Sequence, residues 1–308
     1  MLLIILGCLT SLSLPPYNFL FINFITFSLF FIYIFQKKKS ASKIQAFFYG
    51  WFFGFGYFLS NLYWITISLT FDENFKFLIP IALILIPAFL AIFYGVAIYF
   101  LFLFNIRKLI SNLFLFSLLM GIVEFLRGII LTGFPWNLIA YSFSNNLEII
   151  QITSFIGTYA FNMLCITFFA SPAIFILRRN RKEIAVCIFF LLSPIILYVV
   201  GSSKIKTFQS SELIQNDYVI RAIGSNIDLG RFYGNTDTES VIDELIELSE
   251  PNLDNRTLFI WPEGIIPNVN QSELKDYDFL FKNKFNKNHL LGIGINSYQT
   301  DIDKDLFY

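Results

Sequence analysis

The sequence is short of the groups that soluble enzymes and metal sites rely on. Histidine occurs once, at His289, and charged residues make up only 14% of the chain. No CxxC or HExxH spacing is present, so neither a metal nor another cofactor is expected. The three cysteines, Cys8, Cys165 and Cys187, all lie in apolar stretches, which leaves residues 201–308 without a disulfide framework. A basic stripe interleaved with aromatics is also lacking, which excludes nucleic acid as an expected partner.

What is abundant is apolar surface. Hydrophobic residues make up 56% of the chain and aromatic residues 19%, with 40 phenylalanines and a mean hydropathy of +0.64. Such a mix is far from that of a soluble domain. The formal net charge of zero is the sum of two unlike parts. Residues 1–200 hold 12 Lys and Arg against 5 Asp and Glu, whereas residues 201–308 hold 10 against 17.

A bilayer core about 30 Å thick needs about 20 mostly apolar helical residues. Seven segments qualify or nearly do, at about 1–14, 17–35, 44–66, 77–105, 109–131, 147–177 and 184–200. The first is broken by Pro15-Pro16 and lacks the charged start and small-residue cleavage site of a signal peptide, so it reads as an uncleaved span. Every second loop is basic: Lys37, Lys38, Lys39 and Lys43, then Arg107 and Lys108, then Arg178, Arg179, Arg181 and Lys182. The loop at residues 132–146 has no Lys or Arg. This alternation predicts a cytoplasmic N-terminus and an extracytoplasmic segment 201–308. The expected architecture is thus a polytopic helical membrane bundle, residues 1–200, followed by an α/β domain, residues 201–308.

Past residue 200 the apolar runs shorten and alternate with turn residues. Strands are expected at 217–226, 257–262 and 289–298, and helices at 236–250 and, more weakly, 271–287. Thr236 and Glu239 form a candidate capping box, and Val241, Ile242, Leu245 and Ile246 recur on one helical face. Strand–helix alternation implies an α/β sheet with parallel neighbours.

Two constellations carry candidate chemistry. Glu124 and Arg127 sit inside the fifth span at a spacing that pairs them on one face, either as a structural ion pair or as a hold for a lipid headgroup. Thr132-Gly133-Phe134-Pro135-Trp136 follows, with Trp136 suited to the membrane interface. The second is Leu258-Phe259-Ile260-Trp261-Pro262-Glu263-Gly264, an apolar strand ending in proline and presenting one carboxylate. Ligands bind open α/β sheets at that edge, and Glu263 beside aromatic and proline surface suits a general base.

Together these segments resemble the apolipoprotein N-acyltransferases. The resemblance rests on Val123–Gly128 with Leu131–Asn137, on Trp261-Pro262-Glu263-Gly264-Ile265-Ile266-Pro267, and on Ser225-Asn226-Ile227. It implies a multi-pass enzyme of the bacterial inner membrane with a nitrilase-like αββα sandwich. Its substrates would be a phospholipid acyl donor and the N-terminal cysteine amine of a diacylated apolipoprotein. A Glu–Lys–Cys triad is implied, with Glu263 as general base, and Trp136, Trp261, Glu124 and Arg127 as substrate-binding residues. The family's lysine and cysteine motifs do not occur, since no cysteine follows Cys187. The chain is therefore identified as a C-terminally truncated member, inactive alone, with a separately encoded C-terminal half as a further partner. Its half sandwich would expose an apolar sheet face. The alternative is a non-catalytic membrane protein that binds lipid or lipoprotein.

Overall fold

The computed structural model describes residues 1–104, 106, 108–178, 180–211, 217–224, 237–266, 269–301 and 304–307, with only the backbone described at 132, 298–301 and 304–307. Arg107, Arg179, Ser225-Asn226-Ile227, Thr236 and Pro267 lie outside these residues, as does the side chain of Thr132. The chain divides into two compact units, Met1–Ser211 and Glu212–Tyr308.

The first unit is helical, and each expected apolar segment contains helix. In order these are α1 (Leu2–Ser11), α2 (Phe21–Lys37), α3 (Lys43–Asn61), α4 (Ile79–Leu103) and α5 (Leu109–Arg127). They are followed by α6 (Leu147–Ile150), α7 (Thr153–Ala170), α8 (Ala173–Leu177) and α9 (Arg181–Ser210). Four stretches of the described residues are long and apolar enough to cross a membrane: Glu73–Leu103, Leu109–Arg127, Thr153–Ala170 and Arg181–Ser210. The expected seven is therefore not reached on length and apolarity. α1 and α2 are shorter apolar helices. α3 is as long as α5 but is diluted by Lys43, Gln45, Asn61 and three glycines. The expected sixth span is broken at Gly157, whose φ of 78° is non-helical. α9 runs on through Gly201 to Ser210, past the boundary read from hydropathy.

Capping explains two of the starts. Ser42 and Gln45 form a reciprocal box at α3, and Asn180 and Glu183 form another at α9. Small residues explain the closest packing. A side chain at Gly50 or Gly54 of α3 would meet Tyr94 of α4, and one at Gly56 would meet the Ile4 carbonyl of α1. Helices in lipid gain little from burying apolar groups against each other, so close backbone approach and dense contact hold them together. An aromatic series fills the space this leaves. Phe30 stacks on Phe53 at 4.1 Å, Phe53 on Tyr94 at 6.2 Å, and Tyr57 on Tyr94 at 6.1 Å.

In the second unit, β1 (Val219–Ala222), β2 (Thr257–Trp261) and β3 (His289–Ile293) form a parallel sheet in the order β1-β2-β3. β4 (Tyr298–Asp301) and β5 (Lys304–Phe307) form a separate antiparallel hairpin, and the expected strand at 289–298 ends at Ile293. α10 (Thr238–Ser249) is capped by Asp237, whose carboxylate accepts from the Glu239 and Ser240 amides. Its apolar stripe of Val241, Ile242, Leu245 and Ile246 is buried, as the spacing predicts. The weaker helix contracts to a 3-10 turn, Glu273–Tyr277, and the short α11 (Asp278–Lys282).

α10 and α11 touch each other and pack with Phe259 and Trp261 in one core. Arg221 ties β1 to the end of α10, donating to the Ser249 carbonyl at 2.6 Å and the Glu250 carbonyl at 3.0 Å. His289 donates from Nε2 to the Asn252 carbonyl at 2.9 Å, because its Nδ1 accepts the Asn286 amide at 3.3 Å. It is thus a core histidine. The opposite face of the sheet carries Ile220, Ile260 and Leu290 at 58%, 43% and 70% exposure.

Replacing Gly50 with valine should push α3 away from the Tyr94 backbone. Overpacking of this kind costs about 1–3 kcal/mol. A lower melting temperature in detergent is expected, and an unchanged one would show that the α3–α4 approach is not tight.

Candidate functional site

α5 brings Glu124 and Arg127 into the interior of the first unit, where their side chains are 0% and 1% exposed. The three-residue spacing puts both on one helix face, and the Arg127 guanidinium pairs with Glu124 through Nε at 3.0 Å and through one terminal nitrogen. The other terminal nitrogen donates to the Phe134 carbonyl. The other Glu124 oxygen accepts from the Tyr94 hydroxyl at 2.5 Å. Phe58 and Phe134 rings lie 5.2 and 5.8 Å from the guanidinium carbon. The pair is therefore occupied with internal partners.

α5 ends at Gly128, and the chain turns through Leu131 (φ 54°), Gly133 (φ 82°) and Asn137 (φ 58°). At Gly133 a side chain would run into the Gly128 carbonyl, so glycine is required there on two counts. The turn leaves Trp136 half exposed, stacked on Trp64 at 5.2 Å and tilted against Phe134 at 5.4 Å. Nearby, burial holds the Tyr141 phenol above its ordinary range. Trp64, Tyr57 and Tyr94 escaped the sequence reading, because nothing in the chain's periodicity links three separated aromatics to one turn.

In the second unit Glu263 stands just past the C-terminal end of β2, the central strand. Pro262 has no amide hydrogen to extend the ladder. The turn is anchored on both sides, by buried Trp261 before it and by buried Ile265 and Ile266 after it. Gly264 adopts φ 66°, which favours glycine, and its amide donates to the Gly294 carbonyl at 3.0 Å. A Cβ on Gly294 would come within 2.6 Å of the Glu263 Cα, so Gly294 is a site residue that the sequence reading passed over. The Glu263 side chain is exposed, and among the described residues it has no hydrogen-bond partner.

Trp261 points the other way. It is 2% exposed, donates to Ser249 Oγ at 2.9 Å and leans on Phe281 at 5.8 Å. Contact with a substrate was expected of this ring, but it belongs to the core beneath α10 and α11. Glu124, Arg127 and Trp136 are brought together in the first unit, and Glu263 lies in the second. No cluster of metal-ligating side chains occurs among the described residues.

Arg127→Ala would leave the Glu124 carboxylate buried and short of a partner, at a cost of about 3–5 kcal/mol. The double change Glu124→Leu with Arg127→Leu removes both charges and should melt well above the single variant. A double variant no more stable than Arg127→Ala would show that the pair is not the source of the loss. Separately, Gly294→Val should displace the Glu263 turn without unfolding α10, seen as altered proteolysis at that turn only.

Residues 6–171 match the family description "Apolipoprotein N-acyltransferase N-terminal domain". Among curated proteins, the apolipoprotein N-acyltransferase of Rhodopseudomonas palustris is 30% identical over 279 residues, covering 85% of this chain and 50% of that protein. Those of Rhizobium leguminosarum bv. trifolii and Brucella melitensis are each 28% identical, over 281 and 293 residues, with 85% and 86% of this chain covered. They are themselves covered to 51% and 52%, so the chain spans about half the length of the curated relatives it matches. With more than half of its residues inside that family description, the chain belongs to the apolipoprotein N-acyltransferase family.

Proposed function

We propose that this chain supplies the membrane part and the general base of an acyl transfer. The reaction moves a fatty acyl group from a phospholipid to the N-terminal cysteine amine of a diacylated apolipoprotein. The observation that carries the reading is Glu263 at the C-terminal end of the central parallel strand, on a turn held by Gly264 and Gly294. That strand end is where open α/β sheets bind ligands.

In this reading a thiolate attacks the phospholipid ester, releasing the lyso-lipid alkoxide and leaving a thioester. The lipoprotein amine then attacks the thioester, forming the amide and freeing the thiol. Glu263 takes the thiol proton and passes it to the leaving oxygen, and later takes the amine proton and returns it to sulfur. The 308 residues contain no cysteine after Cys187, which is buried in α9, so the thiol must come from elsewhere. The missing lysine and cysteine would belong to the rest of a nitrilase-like sandwich laid on the apolar face of Ile220, Ile260 and Leu290, on the same or a separate chain. On this reading the chain crosses the bacterial inner membrane seven times, with its N-terminus cytoplasmic and residues 201–308 outside. Trp136 meets the lipid substrates, with Glu124 and Arg127 behind it.

The chain purified in nanodiscs should form no thioester with labelled phospholipid and transfer no acyl group. It should still bind a peptide bearing an N-terminal S-diacylglyceryl cysteine, and bind the unlipidated peptide far more weakly. Glu263→Gln should leave that binding within about twofold, since a neutral isostere removes proton transfer and little else. Turnover by the chain alone, or equal binding of both peptides, would overturn the reading.

A further inference from the structure

The turn after α5 is held more firmly than a connector requires. Three helices each reach it with one buried side chain. Arg127 of α5 donates to the Phe134 carbonyl, and Tyr57 of α3 donates to the Asn137 carbonyl at 2.7 Å. Asn162 of α7 accepts from the Ala140 amide at 2.9 Å. The backbone adds the Phe134 amide on the Arg127 carbonyl at 2.8 Å. Tyr57, Tyr94, Glu124, Arg127 and Asn162 are all essentially buried. Trp136, half exposed, stacks on Trp64, which belongs to a different segment, Tyr63–Thr70.

Gluing helices together does not explain this arrangement. A buried ion pair costs desolvation, and well-packed apolar side chains in its place would hold the helices as well or better. The turn also keeps Leu131 and Asn137 in the left-handed region, at φ 54° and 58°. Non-glycine residues stay there only when their surroundings over-determine the backbone, and such strain gathers at working sites. Arg127 and Tyr57 bind the carbonyls of Phe134 and Asn137, on either side of Trp136 in the chain.

We infer that Tyr57 and Arg127 are positioning residues. They pin the carbonyls at residues 137 and 134, so that Trp136 stands on Trp64 as a rigid aromatic ledge for the apolar part of a lipid substrate. The lipid part of this inference rests on the function proposed above. The ledge suits an acyl chain rather than a polar solute, since Leu131, Tyr63 and Ile67 in the same two segments are also exposed.

The test uses the full chain in nanodiscs with Trp51→Phe and Trp261→Phe, which leaves the stacked pair as the only indoles. Two stacked indoles give an exciton couplet in circular dichroism, a signal that a general loss of stability in a still-folded protein does not remove. Tyr57→Phe keeps the ring stack and deletes one hydrogen bond. Arg127→Lys keeps a cation beside Glu124 but cannot also reach Phe134. Each should remove the couplet while the helical signal remains, and weaken binding of the S-diacylglyceryl-cysteine peptide about tenfold. If Tyr57→Phe does not fold, Arg127→Lys carries the test. A couplet and an affinity both unchanged in a folded variant would overturn the positioning role. A lost couplet with unchanged affinity would overturn the ledge as a lipid contact. A couplet lost in the variants of a parent chain that shows it but binds no lipopeptide would support the clamp and overturn the function proposed above.

Discussion

Arg127 places a guanidinium in the middle of a helical bundle where water cannot reach it. Such a charge is tolerated only if its donors are all answered, since an unanswered one costs several kcal/mol. The answers come from Glu124, from the Phe134 carbonyl and from two aromatic faces. Glu124 in turn draws in Tyr94, and Tyr94 stacks on both Phe53 and Tyr57. One demand for charge compensation therefore links α3, α4, α5 and the turn carrying Trp136. The glycines of α3 make this possible, because only a side-chain-free face lets Tyr94 come close enough.

The second unit obeys a different constraint. Its sheet is parallel, so each strand must be reached by a crossover, and both crossovers bring their helices to one face. That face is filled by Phe259, Trp261 and the stripe of α10, and it makes the end of β2 a fixed point. Glu263 inherits its position from this packing rather than from partners of its own. An exposed carboxylate on a rigid turn can meet an incoming group without first giving up an internal hydrogen bond. The far side of the sheet carries the exposed Ile220, Ile260 and Leu290.

Much of this was legible in residue order. Long apolar runs predicted helices wherever the first unit has them, and the stripe of Val241, Ile242, Leu245 and Ile246 predicted α10 and its buried face. Pro262 and Glu263 were placed correctly at a strand end. The structure departs from that reading where packing sets the boundary: α9 continues to Ser210, and β3 ends at Ile293. At α10 the carboxylate of Asp237 caps the first turn. Trp261 shares the strand face of Phe259 and is buried with it, whereas Glu263, two residues on, lies past the end of β2 and is exposed.

By itself, the order of residues determined which segments seek an apolar phase, which loops are charged, and that one glutamate ends an apolar strand. These follow from hydropathy, charge and backbone chemistry, which act over a few residues. Tertiary structure alone decided that Tyr57, Trp64, Tyr94, Glu124, Arg127 and Trp136 form one assembly, and that Gly294 sits against Glu263. Those contacts join residues far apart in the chain, and no local pattern encodes a distance that exists only after the helices and strands have packed.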